Sequence, residues 1–435
     1  MKVTVFGAGY VGLVSAASFA QLGNDVLCLE NDAEKLQKLR EGVLPIFEPE
    51  LAELMAANVE SGRLRFTDNA NAGIDHGDVM FICVGTPQGE DGRSDLSQVE
   101  SVARQIASHI TKKVLIVEKS TVPVNTHQWV SRTIRRHVKS DAEFEVASNP
   151  EFLREGTAVH DFFHPDRIVV GVESGWAENL LRSLYEPLTS RGTEILVTKV
   201  AEAELIKHAS NSFLALKISF INMVSELCEK TGADIKRVAK GVGMDRRIGE
   251  KFLQAGIGYG GSCFPKDLQA FIRIAQDNGM EFELLKETER INRCQRERFV
   301  KLIEEVLWIN KHKTLAVWGL AFKADTDDIR EAPSLFVVGQ LLRAGAKLSL
   351  FDPKGSANFR RSYPESDSIS YFTDKYEAAR GADALIVLTD WSEFIEADLS
   401  KVKSLLALPI LIDGRNIYEP ATMASLGFEY YSVGR

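Results

Sequence analysis

Residues 2–32 read KVTVFGAGYVGLVSAASFAQLGNDVLCLEND, and this stretch decides the fold. A short β-branched run leads into Gly7, Gly9 and Gly12 in GxGxxG spacing, followed by an alanine-rich segment, a second apolar run and Glu30. Strand, turn, helix and strand in that order predict a dinucleotide-binding βαβ unit. The first glycine permits a tight turn and the second lets backbone approach a pyrophosphate. The third lets helix and strand pack closely while the helix N-terminus faces the phosphates. A carboxylate at Glu30 would hold the adenosine ribose hydroxyls and repel a 2′-phosphate, so the expected cofactor is NAD rather than NADP. The blander reading, a glycine-rich turn with a solvated glutamate, leaves the flanking strands and helix unexplained.

Outward from this unit, DVMFICVGTP (78–87), KVLIVEKSTVP (113–123) and EVASNPEF (145–152) recur at α/β spacing. Each ends in small polar residues, where open parallel sheets bind ligands. Thr86 and Thr121 sit at two such ends, where capping or a turn would account for them as well as ligand contact. Cys28 and Cys83 lie inside apolar strands and read as core thiols. Near residue 200 the pattern changes to one long helix, about 201–230, with Lys207 and Asn211 four apart on one face. Periodicity alone fits a solvated lysine at 207 equally well. From Lys313 a second βαβ unit begins: a strand, Gly319, a helix from about Ser334 and a strand ending at Asp352. Its longer loop carries Lys323, Asp327, Asp328 and Arg330, and Arg415 follows a later strand. The expected fold is α/β, with two Rossmann-like doubly wound domains joined by a long central helix and helical segment. The boundaries are 1–198 for the cofactor domain, 199–308 for the central segment and 309–435 for the second domain, with a cleft between the two sheets.

Composition narrows the partners. The 435 residues exceed what one core usually supports, and 52 Lys and Arg against 61 Asp and Glu give a formal charge of -9. That balance argues against nucleic acid or an anionic membrane. Five scattered cysteines make neither a disulfide framework nor a zinc site, so no metal is expected and a reducing compartment fits best. The N-terminus enters a strand without the charged and apolar regions of a signal peptide, and no long apolar run follows; the cytoplasm is the expected location.

The stretch GIGYGGSCFPKD (256–267) resembles no core segment. Glycines around Cys263 would let a ligand approach the backbone. If FPKD opens a helix, Cys263 and Asp267 share a face and the helix N-terminus favours the thiolate. A dehydrogenase that interconverts alcohol and carbonyl has no use for a nucleophile. One that continues to the acid does: a thiolate adds to the aldehyde, the thiohemiacetal offers a second hydride, and the thioester is hydrolysed. An alternative is a two-electron hydroxyacid dehydrogenase in which Cys263 only packs; another is an NAD-sensing protein without chemistry.

Seven ordered motifs, GAGYVGL, VGTP, EKSTVPV, NPEFLREG, AELIKHASNSFLALKISFIN, GIGYGGSCFPKD and GLAFKADTDDIRE, span nearly the whole chain. Through them it resembles the UDP-glucose/GDP-mannose dehydrogenase family, and within that family the UDP-glucose branch. The resemblance implies a four-electron oxidation of UDP-glucose to UDP-glucuronate with two NAD, supplying polysaccharide biosynthesis. GDP-mannose or another nucleotide sugar is the alternative substrate.

It also implies site residues. Gly7, Gly9, Val11, Gly12, Glu30, Lys35, Thr86, Thr121, Glu155, Lys266 and Arg330 match NAD contacts. Glu151, Phe152, Leu153, Arg154, Lys207, Asn211, Gly260, Lys323 and the run Phe252, Leu253, Gln254, Ala255 and Gly256 match positions around the sugar nucleotide. Cys263 matches the nucleophile and Asp267 the carboxylate that works with a water as base. Lys207 and Asn211 match the oxyanion-steadying pair, and Thr121 and Glu151 complete the catalytic set. Arg247 matches an arginine that reaches a partner subunit's substrate, which implies a homodimer through the central helices. Two positions depart from the family pattern: Asn125 stands where glycine is usual, and Met223 where glutamate is frequent.

Overall fold

The computed structural model describes residues 1–89 and 92–435. Its first sheet holds β1 (Lys2–Phe6), β2 (Asp25–Leu29), β3 (Leu64–Thr67), β4 (Val79–Ile82), β5 (Val114–Glu118), β6 (Phe144–Ser148), β7 (Ile168–Gly171) and β8 (Ile195–Thr198), in the order β3-β2-β1-β4-β5-β6-β7-β8. The second holds β9 (Thr314–Trp318), β10 (Lys347–Phe351), β11 (Ile369–Tyr371), β12 (Ala384–Val387), β13 (Ile410–Asp413) and β14 (Glu429–Ser432), in the order β11-β10-β9-β12-β13-β14. Every neighbouring pair is parallel except β6 with β7. In each sheet the strand order reverses beside the first strand, β1 or β9, which opens a crevice at the carboxyl ends.

The chain divides into two compact units: Met1–Ser210 with Gln269–Met280, and Asn211–Leu268 with Glu281–Arg435. The helical segment expected at 199–308 is therefore shared between them. The long helix runs Val200–Thr231, and the helices Phe264–Asp277 and Glu283–Leu307 follow. Among the described residues no helix is long and apolar enough to cross a membrane.

Both sheets are covered on two faces, which is why their strands read as continuous apolar runs rather than alternating ones. In β4, Val79 and Phe81 enter one core while Met80 and Ile82 enter the other. In β9, Leu315 and Val317 face one side and Ala316 and Trp318 the opposite side. Phe19, fully buried, stacks on Phe81 with ring centroids 4.8 Å apart and meets Phe162 edge-on at 5.3 Å. Truncating such a ring to alanine costs about 3–5 kcal/mol.

Candidate active site

In the first unit, β1 ends at Phe6 and the chain turns through Gly7 at φ +97° into the helix Tyr10–Gln21. A Cβ on Gly12 would lie 1.9 Å from the Gly7 carbonyl oxygen, so no larger residue fits there. Gly9 is the N-cap and supplies no side-chain acceptor to the first-turn N–H groups, and a Cβ there would meet nothing within 4 Å. Uncapped donors facing open space fit a pyrophosphate. Val11 lies part-exposed in that first turn. Glu30, one residue past β2, is buried; its carboxylate accepts the Asp32 N–H at 3.0 Å and pairs with Lys35 Nζ at 2.7 Å. These residues thus fit a dinucleotide such as NAD, and the solvated-glutamate reading fails.

The ends of β4 and β5 are tied together where the Thr86 hydroxyl donates to the Thr121 carbonyl at 2.9 Å. Beneath them lies polar machinery that local sequence patterns did not reveal. Glu118, the last residue of β5, is fully buried, and burial followed by the neighbouring Glu204 carboxylate holds it well above the usual carboxylate range. Glu204 accepts the Asn125 N–H at 2.6 Å and the His127 N–H at 3.2 Å. Asn125 has φ +71°, the left-handed backbone that glycine would otherwise supply there. Burial pulls Lys119 down to about 8, with its ammonium 3.0 Å from Asn149 Oδ1. Burial also pushes the Cys83 thiol up to about 12 and raises that of Cys28, as expected of core thiols.

Glu151 and Lys207 come together. Both are buried, with Lys207 Nζ 2.9 Å from Glu151 Oε1, so Lys207 is no solvated helix lysine. Glu151 Oε2 also takes the Leu153 N–H at 2.6 Å. The Phe152 ring lies 5.4 Å from Lys207 Nζ and 3.6 Å from the Arg167 guanidinium. Arg154 turns to Asp161, with Nη2 and Oδ1 2.6 Å apart. Glu155 is buried, and its segment is bolted down by Glu48, which accepts the N–H groups of Gly156 and Ala158 at 2.6 Å each. Burial raises Glu48, while the Tyr10 hydroxyl and those N–H groups pull it back.

In the second unit, the helix Phe264–Asp277 begins directly after Cys263, and its first-turn bond runs from the Asp267 N–H to the Cys263 carbonyl at 2.8 Å. Pro265 suits that turn because its missing N–H would be unpaired there anyway. Cys263 is part-exposed at the positive end of the helix, with the Ser262 hydroxyl 3.6 Å from its sulfur. Asp267 is 1 % exposed; Asn211 Nδ2 reaches its Oδ2 at 2.6 Å and Lys266 Nζ its Oδ1 at 2.8 Å. The structure therefore assembles Cys263, Asn211, Lys266 and Asp267 within this unit.

The loop ahead of Cys263 is held by side chains far away in sequence. Gly256 donates to Asn222 Oδ1 at 2.9 Å and accepts from Gln295 at 2.8 Å. Asn292 brackets Tyr259, accepting its N–H at 2.9 Å and donating to its carbonyl at 3.0 Å. A Cβ on Gly260 would sit 2.2 Å from the Glu331 carbonyl oxygen, so this loop packs backbone against backbone. Leu253 and Ala255 are buried in the core, Gln254 is exposed, and Phe252 holds φ +67°. Lys323 Nζ lies 5.6 Å from the Phe322 ring, and Arg330 is bidentate to Asp328. The Arg247 side chain is 89 % exposed and pairs with Asp245 of its own loop. Met223 is exposed on the long helix.

Family models match along the chain: the UDP-glucose/GDP-mannose dehydrogenase family NAD binding domain at residues 1–189, its central domain at 201–294 and its UDP binding domain at 316–420. UDP-glucose 6-dehydrogenases of Rhizobium meliloti and Pseudomonas aeruginosa are similar at 46% and 44% identity, over 100% of this chain and 100% and 98% of theirs. A solved UDP-glucose dehydrogenase from Pyrobaculum islandicum is similar at 38% identity with a TM-score of 0.92, covering 100% of this chain and 98% of that one. With the dinucleotide crevice formed and all three domains matched, the chain belongs to the UDP-glucose/GDP-mannose dehydrogenase family and is an NAD-dependent dehydrogenase.

Proposed function

We propose that the chain oxidises UDP-glucose to UDP-glucuronate with two NAD, through a thiohemiacetal and a thioester on Cys263. The observation that carries this reading is the part-exposed cysteine at a helix N-terminus, one turn from a buried aspartate held by an amide and an ammonium. The names of full-length relatives support the choice of UDP-glucose over GDP-mannose. NAD, when bound at Gly7, Gly9, Gly12, Glu30 and Lys35, takes up the hydride of each oxidation.

The chain's own residues do the rest. Asp267, through a water, receives the proton of the C6 hydroxyl as the first hydride leaves. Lys207 and Asn211 steady the oxyanion, and Glu151 fixes the Lys207 ammonium. The Cys263 thiolate then forms a C–S bond to the aldehyde carbon, and loss of the second hydride converts that carbon to a thioester. Water adds, the C–S bond breaks, the thiolate leaves and the carboxylate is released. The tether keeps the aldehyde in place while the reduced cofactor is exchanged. Lys323, Arg154 and the backbone of residues 252–256 hold the sugar nucleotide.

We also propose a homodimer. Phe213, Phe220, Met223 and Leu227, spaced 7, 3 and 4 apart on the long helix, are 61%, 53%, 46% and 60% exposed, an apolar stripe suited to a second copy. Arg247, extended on the same unit, would reach the partner's substrate. Chain composition favours the cytoplasm, with the product supplied to polysaccharide biosynthesis.

The test is NADH yield together with intact-protein mass. The parent should release two NADH per UDP-glucose and none with GDP-mannose. Cys263→Ser should make a small burst and stall with the sugar nucleotide attached as an oxygen ester, because alkoxide leaves poorly. Cys263→Ala should fail at the second oxidation. Steady acid production by Cys263→Ala near the parent rate would refute the thioester route.

A further inference from the structure

Lys119 is a lysine with no role in the proposed reaction, yet it is buried at the heart of the first unit, one residue past β5. Its backbone N–H donates to the Ile82 carbonyl at 3.0 Å, which fixes the stem between β4 and β6. Its ammonium donates to Asn149 Oδ1 at 3.0 Å, and the Tyr185 hydroxyl donates to the same oxygen at 2.5 Å. Asn149 is also pinned by its own amide, which donates to the Val169 carbonyl at 2.8 Å, and by its N–H, which donates to the Glu118 carbonyl at 2.9 Å. Two residues further on stands Glu151, whose carboxylate holds the Lys207 ammonium at 2.9 Å. Pro150 lies between them, and its ring restricts both its own backbone and that of Asn149, so a displaced Asn149 carries Glu151 with it.

Among the described residues no carboxylate pairs with Lys119; Glu151 favours its charge only from a distance. A buried ammonium bonded to a neutral amide is a poor device for stability alone, because an apolar side chain of similar volume avoids the desolvation. What the charge supplies is a stronger grip on the Asn149 oxygen than a neutral donor gives. The groups that face it are the Cys83 thiol after β4, Glu151 after β6, Tyr185 of the helix Gly175–Thr189, Lys207 of the long helix and the Phe81 ring at 5.8 Å.

We infer that Lys119 is a positioning residue: through Asn149 its ammonium fixes the turn that aims Glu151 at Lys207, and so holds the oxyanion-steadying ammonium in place. The inference rests on the proposed role of Lys207 and adds a residue that touches neither substrate nor cofactor. Burial, which lowers Lys119 to about 8, makes this grip sensitive to pH. Cys83, pushed up to about 12, and Tyr185, raised by burial above its ordinary value, keep their protons where Lys119 gives up its own.

The experiment compares Lys119→Met and Lys119→Arg with the parent, following NADH release from UDP-glucose between pH 6.5 and pH 9.5, a range of about 1.5 either side of that value. Lys119→Met should lower kcat by about tenfold or more, with KM within about threefold and NADH binding, read by fluorescence, within about twofold. In a Glu151→Gln background the same change should cost less than about threefold, because the link is already cut. The parent kcat should decline on the alkaline side around pH 8. Lys119→Arg cannot lose its charge there, so it should keep kcat within about threefold of the parent and hold it beyond that decline. If neither variant folds, Tyr185→Phe deletes only a hydroxyl that bonds Asn149 and lies 3.5 Å from the Lys119 nitrogen. It should bring the decline about half a pH unit lower, because the ammonium loses an acceptor.

Equal loss of kcat in Lys119→Met and Lys119→Arg, full additivity with Glu151→Gln, or a decline unmoved in Lys119→Arg or Tyr185→Phe would reduce Lys119 to a structural bolt. A loss of NADH binding equal to the loss of kcat would overturn the inference as well. Denaturant unfolding needs no turnover and tests the charge directly. Below pH 8 the folded and unfolded chains both carry the Lys119 proton; above it the folded chain releases the proton while the unfolded chain keeps it, so the parent should gain stability on Lys119→Met as pH rises from 8 toward 10. A gap that stays constant would show that no charge is buried there. Failure of the parent to release two NADH per UDP-glucose would instead sink the proposed reaction, while the unfolding comparison still reports on Lys119.

Discussion

The two sheets share a topology and place acidic residues at corresponding strand ends, yet use them differently. At the end of the second strand the first sheet has Glu30 and the second has Asp352. Glu30 keeps two local partners, the Asp32 N–H and Lys35. Asp352 is turned wholly inward: Oδ2 accepts the N–H groups of Leu320 at 2.6 Å and Ala321 at 3.0 Å and the Trp391 indole at 3.2 Å. Its Oδ1 accepts those of Lys354 at 2.9 Å and Gly355 at 2.6 Å. At the end of the fifth strand, Glu118 sits beside a second carboxyl, whereas Asp413 accepts the Arg415 and Tyr418 N–H groups and the Tyr430 hydroxyl. In the second sheet the acids are bolts for the loops that carry Lys323 and Arg415. In the first, Glu30 remains at a crevice whose helix N-terminus is uncapped. One topology therefore yields a dinucleotide site or a rigid loop platform, according to what satisfies the strand-end carboxylate.

The largest effect should come from removing the bolt. Asp352→Ala would leave several N–H groups and a buried indole N–H without an acceptor, each loss worth about 1–3 kcal/mol, and should lower unfolding free energy by about 3 kcal/mol or more. Denaturant unfolding of the full chain measures it. A loss below about 1 kcal/mol would mean that water or neighbouring groups replace the carboxylate, and the contrast with Glu30 would collapse.

A smaller effect, on cofactor choice rather than stability, is expected at Glu30. Glu30→Ala removes the charge that disfavours a 2′-phosphate, so the preference for NAD over NADP should narrow by about tenfold or more, with unfolding nearly unchanged. Equal use of NAD and NADP by the parent would show that Glu30 does not discriminate. Asp352→Ala, by contrast, should not alter that ratio.

These contrasts also mark what the sequence made legible. Gly7, Gly9, Gly12 and Glu30 were readable because the constraints are local: a turn, a close approach, a strand end. The helix starting after Cys263 was readable because Pro265 belongs in a first turn. The clamps on that loop were not, because Arg415 meets Gly258 across 157 residues and Asn292 meets Tyr259 across 33. No periodicity or motif encodes such pairs. Asp352 could be placed at a strand end, but whether its carboxylate faces a crevice or its own loop depends on the backbone of residues 320–321 and 354–355. Glu118 was invisible for the opposite reason: its strand reads as apolar, and an acid at its end looks solvated until Glu204 arrives from the long helix.

The smallest effect concerns that acid. Its carboxyl is held above its ordinary value of 4.5, first by burial and then by Glu204. Below that value both folded and unfolded chains carry the proton, and Glu118 imposes no pH dependence. As pH rises above it, the unfolded chain releases the proton while the folded chain keeps it, so stability falls with pH until the folded value is passed. Glu118→Gln keeps the shape of a protonated acid but cannot ionise, and its amide can still donate to Glu204. The variant should match the parent within about 1 kcal/mol near pH 4.5 and become progressively the more stable of the two toward pH 8. The measurement is denaturant unfolding of both proteins across that range. A gap between them that stays constant with pH would place the proton on neither chain, or on both, and would make Glu118 the hydrogen-bonded equivalent of Asp413 rather than its contrast.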